Sequence, residues 1–143
     1  MELGYIEVPN LTSFGALIRH AVTLEELAIE FYERSASITP GDRGSVFLKL
    51  AKNHRQRKQL LEKVRREMIC EMVLEPIEGL NGGDYVPTPA DAALEAQDFA
   101  TRIEGLSRKF YADSAVVAWS VLAEASKVFE RLARENGDHL KLL

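Results

Sequence analysis

The stretch Glu25-Glu26-Leu27-Ala28-Ile29-Glu30-Phe31-Tyr32 is followed by Phe47-Leu48-Lys49-Leu50-Ala51-Lys52-Asn53-His54-Arg55-Gln56-Arg57. Much of this pattern returns further on. Glu104-Gly105-Leu106-Ser107-Arg108-Lys109-Phe110-Tyr111 precedes Trp119-Ser120-Val121-Leu122-Ala123-Glu124-Ala125-Ser126-Lys127-Val128-Phe129. Each copy reads as a Glu-x6-Tyr helix and then an aromatic-x-x-Leu-Ala helix. Glu25 answers Glu104, Tyr32 answers Tyr111, and Leu50-Ala51 answers Leu122-Ala123. A repeated helical hairpin predicts an all-α, antiparallel four-helix bundle with pseudo-twofold symmetry.

Working outward, helix one is expected to start after Thr12 or Ser13, either of which can cap it. Phe14, Ile18, Ala21, Glu25, Ala28, Tyr32 and Ser35 then fall on its inner face at 3–4 spacing. Thr39-Pro40-Gly41-Asp42 ends it. Helix two is expected over 43–72, burying Phe47, Leu50, His54, Leu61, Val64 and Met68, with His54 and Arg57 on or beside that stripe. Residues 75–89 carry Pro76, Gly79, Gly82, Gly83, Pro87 and Pro89, which exclude a continuous helix. At roughly 3.3 Å per residue this segment is long enough to run the length of a bundle, as one long crossover. Helix three is expected from Pro89 or Ala90, with Gln97, Ala100, Glu104, Ser107 and Tyr111 inward. A break near Asp113-Ser114 leads to helix four over 115–135, stopped at Asn136-Gly137. Residues 1–10 form an N-terminal arm and 11–143 the bundle.

Composition bounds the function. The chain has 143 residues, 46% hydrophobic and 28% charged, as expected of one soluble domain with a real core. A single cysteine, Cys70, excludes an internal disulfide framework and is compatible with a reducing cytosol. No apolar run reaches transmembrane length, and the N-terminus lacks a basic region before an apolar stretch. Asn10-Leu11-Thr12 matches a glycosylation sequon, which carries no weight without such a signal. The expectation is a cytoplasmic protein with no membrane contact. A net charge of −4 argues against nucleic acid. Bundles of this size commonly pair, so a homodimer is expected, using the arm and the 75–89 crossover as extra contact surfaces.

Glutamates on buried stripes are costly unless paired, protonated or bound to metal. Di-iron carboxylate bundles meet that cost with one Glu from each of two helices and a Glu-x-x-His pair from each of the others. On the Glu-x-x-Ala-x-x-Phe-Tyr element, its echo Glu104-x6-Tyr111 and the two aromatic-x-x-Leu-Ala leads, residues 12–135 resemble the rubrerythrin-like branch of the ferritin-like superfamily. The resemblance implies that Glu25 and Glu104 match the single-glutamate ligands. It places His54 and Arg57 where the first Glu-x-x-His belongs, and Ser126 and Phe129 where the second belongs. Phe129 cannot ligate a metal, and Arg57 is a permanent cation that repels one.

Two functional readings follow. In the first the metals are gone, Arg57 supplies the missing charge to Glu25, Glu104 or both, and His54 hydrogen-bonds one of the same carboxylates. No cofactor is then expected, and the function is non-catalytic binding, scaffolding or regulation. In the second, Glu25, His54 and Glu104 hold one Fe, Mn or Zn ion, with an oxidase or metal-sensing role, the activity implied for the family being that of a di-iron oxidase or peroxidase. A third possibility, an acidic partner for the basic run from Lys49 to Arg66, is weaker than a solvated helix face balanced by Glu62 and Glu67. Tyr32 and Tyr111 read as core residues with hydrogen-bonded hydroxyls, and Trp119 as a core anchor. Cys70 reads as a small apolar filler. His20 and His139 fall off the inner stripes and read as surface residues. The chain has no Gly-rich phosphate loop and no Cys-x-x-Cys, hence no rubredoxin-like tail.

Overall fold

The computed structural model describes residues 6–143, so the first half of the predicted arm lies outside the described residues. Its five α-helices are α1 (Phe14–Ile38), α2 (Gly41–Val64), the short α3 (Pro89–Ala92), α4 (Ala96–Ala118) and α5 (Ala123–Leu142). No strand occurs among the described residues; the one bridge joins Ser13 to Pro76. Among the described residues no helix is long and apolar enough to cross a membrane.

The helix starts follow local chemistry. Ser13 caps α1, its hydroxyl accepting from the Ala16 amide at 3.1 Å. The next orphan amides of that end are met from outside the helix. Phe14 N–H donates to the Glu75 carbonyl at 3.1 Å and Gly15 N–H to that of Val73 at 2.8 Å. The chain leaving helix two is thereby tied to the start of helix one. A π-turn (Arg65–Ile69) and a 3-10 turn (Cys70–Met72) extend α2, so the predicted helix two is α-helical only to Val64. Cys70 on this extension is exposed, not the apolar filler expected, and its neighbour Ile69 takes the buried position.

The helices pack as two hairpins, α1 with α2 and α4 with α5. Side-chain pairs show that α1 and α4 run antiparallel: Tyr111 meets Glu25, and Glu104 meets Tyr32. So do α2 and α5, where His139 sits by His54 and Leu132 by Arg57. Such an arrangement makes α2 and α4 parallel, and the intervening chain must return the length of the hairpin, as the sequence predicts. On its way that segment buries Ile77, Tyr85 and Val86. It also passes the arm so closely that a Cβ on Gly82 would lie 1.9 Å from the Pro9 carbonyl oxygen. Thr88 and Asp91 then form a capping box on α3.

Two apolar clusters fill the interior. One centres on Phe14, Ile18, Leu61, Phe110 and Phe129, and the other on Phe31, Phe47, Leu50 and Phe99. The buried polar residues described next lie between them along the helices.

The second hairpin departs most from expectation. No break occurs at Asp113-Ser114. Asp113 is held in helix by Lys109 at 3.2 Å and by the Tyr85 hydroxyl at 2.7 Å, and Ser114 is buried. The turn falls instead at 119–122, so the Trp119-x-x-Leu122-Ala123 echo is a connector and Leu122 only flanks the next helix. Trp119 is therefore 61% exposed and anchors no core. Helix α5 runs through Asn136-Gly137 without stopping.

Candidate functional site

Glu25, Glu104, His54, Arg57, Tyr32 and Tyr111, singled out in the sequence, meet in one buried hydrogen-bonded network. The structure adds Asn136 and His139 from α5, both buried. His139 is thus not the surface residue expected. Neither is His20, which is buried on α1 outside the network, with its Nε2 2.9 Å from the Tyr85 carbonyl and its ring edge-on to Phe110. Burial lowers the pKa of His20, more than the hydrogen bond to Tyr85 raises it, so it donates as a neutral imidazole.

His54 lies between the two carboxylates. Its Nδ1 is 2.5 Å from Glu25 Oε1 and its Nε2 is 2.7 Å from Glu104 Oε2. A carboxylate only accepts, so both ring nitrogens donate and the ring is an imidazolium. Burial works against that charge, but Glu104 and then Glu25 outweigh it and raise the His54 pKa to about 9. The sequence reading gave His54 one carboxylate; it serves both.

Arg57, one turn along α2, pairs with Glu25 in a two-pronged contact. Its Nε and Nη2 donate to the two Glu25 oxygens at 3.1 Å each. The remaining N–H groups go to the Leu132 carbonyl at 3.0 Å, Asn136 Oδ1 at 3.0 Å and Glu135 at 3.5 Å. All five guanidinium N–H groups are thus engaged. The guanidinium also lies 5.3 Å from the centre of the Tyr111 ring. Burial alone would raise the Glu25 pKa, but Arg57 and then His54 reverse this and hold it at about 2.

The tyrosines cross over. Tyr32, seven residues after Glu25, donates to Glu104 at 2.7 Å, and Tyr111, seven after Glu104, donates to Glu25 at 2.5 Å. Burial and then the facing glutamate push both phenol pKa values well up, so both stay neutral donors. On its other oxygen Glu104 accepts from Asn136 Nδ2 at 2.8 Å and His139 Nδ1 at 3.0 Å. Burial opposes ionisation of Glu104 as well, yet His54 first and His139 with it hold its pKa well below the usual range. The two buried carboxylates are matched by one guanidinium and one imidazolium. Such matching is what allows four charges to sit in a core.

The α5 positions assigned to the site from sequence are displaced. Ser126 donates to the Ala115 carbonyl at 2.7 Å, and Phe129 stacks on Tyr111 at 6.2 Å. Neither hydrogen-bonds to Glu25 or Glu104. The i, i+3 pair that mirrors His54-x-x-Arg57 is Asn136-x-x-His139, ten residues further along. The signal was present in the matching spacing and in the stripe Ala125, Phe129, Leu132, Asn136, His139. Reading Asn-Gly as a stop concealed it.

A groove of about 450 Å³ between α2 and α5 reaches down to Arg57 and His139, with Lys49, Asn53 and Asp138 among its walls. His54, Glu104 and His139 also offer ligand atoms lying within 4.8 Å of one another. Comparison with protein-family models, with curated proteins and with solved structures finds no match for this chain.

Proposed function

We propose that this protein is a ferritin-like, rubrerythrin-related four-helix bundle in which an internal ion-pair network stands in for a di-metal centre. Its role is then non-catalytic: binding, scaffolding or regulation. One observation carries the reading: His54 donates to both carboxylates while Arg57 holds both oxygens of Glu25. A pair of metals does not fit these residues. Every oxygen of Glu25 already has cationic donors, and the fixed charge of Arg57 opposes a second cation. Elemental mass spectrometry of tag-free protein, produced with iron, manganese and zinc in the medium, tests this. Expected is well under one metal per chain and a melting temperature unchanged by chelator. One tightly held ion per chain, lost in His54→Ala, overturns it.

A second reading has its own support in the spacing of His54, Glu104 and His139. Two imidazoles and a carboxylate suit a single Zn, Mn or Fe(II) ion. The ligand set differs from the Glu25, His54 and Glu104 expected from sequence, because Arg57 keeps Glu25. Binding there requires His54 Nε2 to lose its proton and His139 to present a bare ring nitrogen, so affinity rises as His54 deprotonates. Zinc titration of wild type and His139→Ala by calorimetry separates the two readings. Uptake that releases protons and vanishes in the variant favours this one.

A further inference from the structure

Two members of the buried network, Arg57 and His139, also line the groove between α2 and α5. They differ in what they have left to offer. Every N–H of Arg57 is engaged within the chain. His139 spends one ring nitrogen only: its Nδ1 lies 3.0 Å from Glu104 Oε1, and no described residue bonds its Nε2. A carboxylate only accepts, so in the neutral ring the proton sits on Nδ1 and Nε2 keeps a bare lone pair. That lone pair is on the ring edge turned away from Glu104. Among the described residues the only buried side-chain nitrogen or oxygen without a partner is Ser114 Oγ, on α4. The Nε2 of His139 is therefore not sealed in the core, and the groove is where it meets solvent. His54, whose ring centre is 5.0 Å away, has both nitrogens spent on carboxylates.

We infer that His139 is a nucleophile for small, neutral, activated acyl groups, presented by Glu104 at the floor of this groove. A positioned carboxylate does three things for an imidazole. It puts the lone pair on the open nitrogen, holds the ring against rotation, and stabilises the positive charge that forms on the ring when that nitrogen attacks. Glu104 is itself held by Tyr32, His54 and Asn136, so the ring it orients is fixed by packed helices. The groove's volume of about 450 Å³ falls within the roughly 300–1,000 Å³ of small-molecule sites. Its charges disfavour phosphoryl donors, which bring close to two negative charges. Glu135 and Asp138 line it, and Lys49 is the one lining cation without an ion-pair partner among the described residues. Lys49 and the Asn53 amide, one turn apart on α2, are the donors that the walls offer to a carbonyl oxygen gaining charge. In the reaction the Nε2 lone pair bonds to the carbonyl carbon of an aryl ester, and the ester C–O bond breaks, its electron pair leaving with the phenolate. The acyl group then sits on Nε2 of a ring that keeps its Nδ1 proton and carries a positive charge, facing Glu104. Water adds to the acyl carbon, the C–N bond breaks, the pair returns to Nε2, and the carboxylic acid and one proton leave. The network keeps the structural role proposed above, and beyond that role one of its corners turns a reactive nitrogen to solvent.

Two acyl probes on the full, tag-free chain, each used with and without chelator, test the proposal. Diethyl pyrocarbonate acylates bare imidazole nitrogens. Peptide mapping of briefly treated, folded protein is expected to place the carbethoxy group on His139 and not on His54. p-Nitrophenyl acetate is expected to be hydrolysed, with p-nitrophenolate release falling at least about tenfold in His139→Gln, whose fold is checked by circular dichroism and melting temperature. A His139 left unmodified in the wild-type chain overturns the proposal whatever the variant does. So does hydrolysis that is equal in wild type and His139→Gln, or hydrolysis that chelator abolishes, which would assign it to a bound metal. Metal analysis of the same samples separates this site from the reading of the network as an ion-pair substitute. One ion per chain with His139 still acylated removes that reading and leaves the nucleophile standing.

Discussion

The two glutamates occupy mirrored places on α1 and α4, and each takes a tyrosine from the other's helix. Their remaining partners differ. Glu25 is gripped on both oxygens by Arg57, a cation that keeps its charge at any pH a protein meets. Glu104 has no arginine. Its charge is answered by His54, an amide and His139, and the principal cation among these holds its charge only while protonated. One half of the network is therefore permanent and the other depends on pH. Among the described residues the candidate metal triad takes Glu104, with His54 and His139, while Arg57 occupies both oxygens of Glu25.

The comparison breaks most visibly at Arg57. Arg57→Ala leaves a fully buried carboxylate with half its donors and is expected to cost about 3–5 kcal/mol, the range for removing one member of a buried pair. Urea unfolding of this variant should show a far larger loss than His139→Ala, which removes one donor from Glu104 and is expected to cost about 1–3 kcal/mol. Equal losses would mean that the halves are equivalent.

The next largest effect is on pH dependence. His54 is raised in the folded state from 6.5 to about 9. Its contribution to stability is complete below pH 6.5, declines as pH rises through that window and is gone above about 9. Glu25 has the opposite sign. It is depressed from 4.5 to about 2, so its contribution is complete above pH 4.5 and is lost as pH falls toward 2. Melting temperature measured against pH should therefore fall on the alkaline side in wild type. In His54→Gln that alkaline decline should flatten while the acid limb persists. An alkaline limb unchanged in the variant would show that His54 does not carry the charge.

The tyrosine hydroxyls come next, on the scale of His139→Ala. Tyr32→Phe and Tyr111→Phe each remove one hydrogen bond to a buried carboxylate, worth about 1.5–3 kcal/mol. Tyr32→Phe is expected to cost more, because Glu104 lacks the two-pronged arginine that remains on Glu25. Chemical denaturation of both variants ranks them, and the reverse order would contradict the asymmetry.

Much of this was legible in the chain. The stripe through Glu25, Ala28 and Tyr32, and that through His54, Arg57 and Leu61, follow from 3.6-residue periodicity, which side-chain burial enforces locally. So do the start of α1 at Ser13 and the non-helical crossover, where proline and glycine act through their own backbones. The errors gather in the second hairpin, where no such residue marks a boundary. Asp113-Ser114 reads as a break, yet Tyr85 and Lys109 hold Asp113 in the helix. Asn136-Gly137 reads as a stop, yet Glu104 and Arg57 hold Asn136 there.

By itself, then, the sequence determined an all-helical chain, its long return segment, and the two glutamates, two tyrosines, histidine and arginine that had to be buried together. Only the tertiary structure decided which residues of α5 complete the network and which carboxylate receives the arginine. Periodicity fixes the face a residue occupies on its own helix. The axial register between helices is set by contacts among residues far apart in the chain, and no local pattern encodes it.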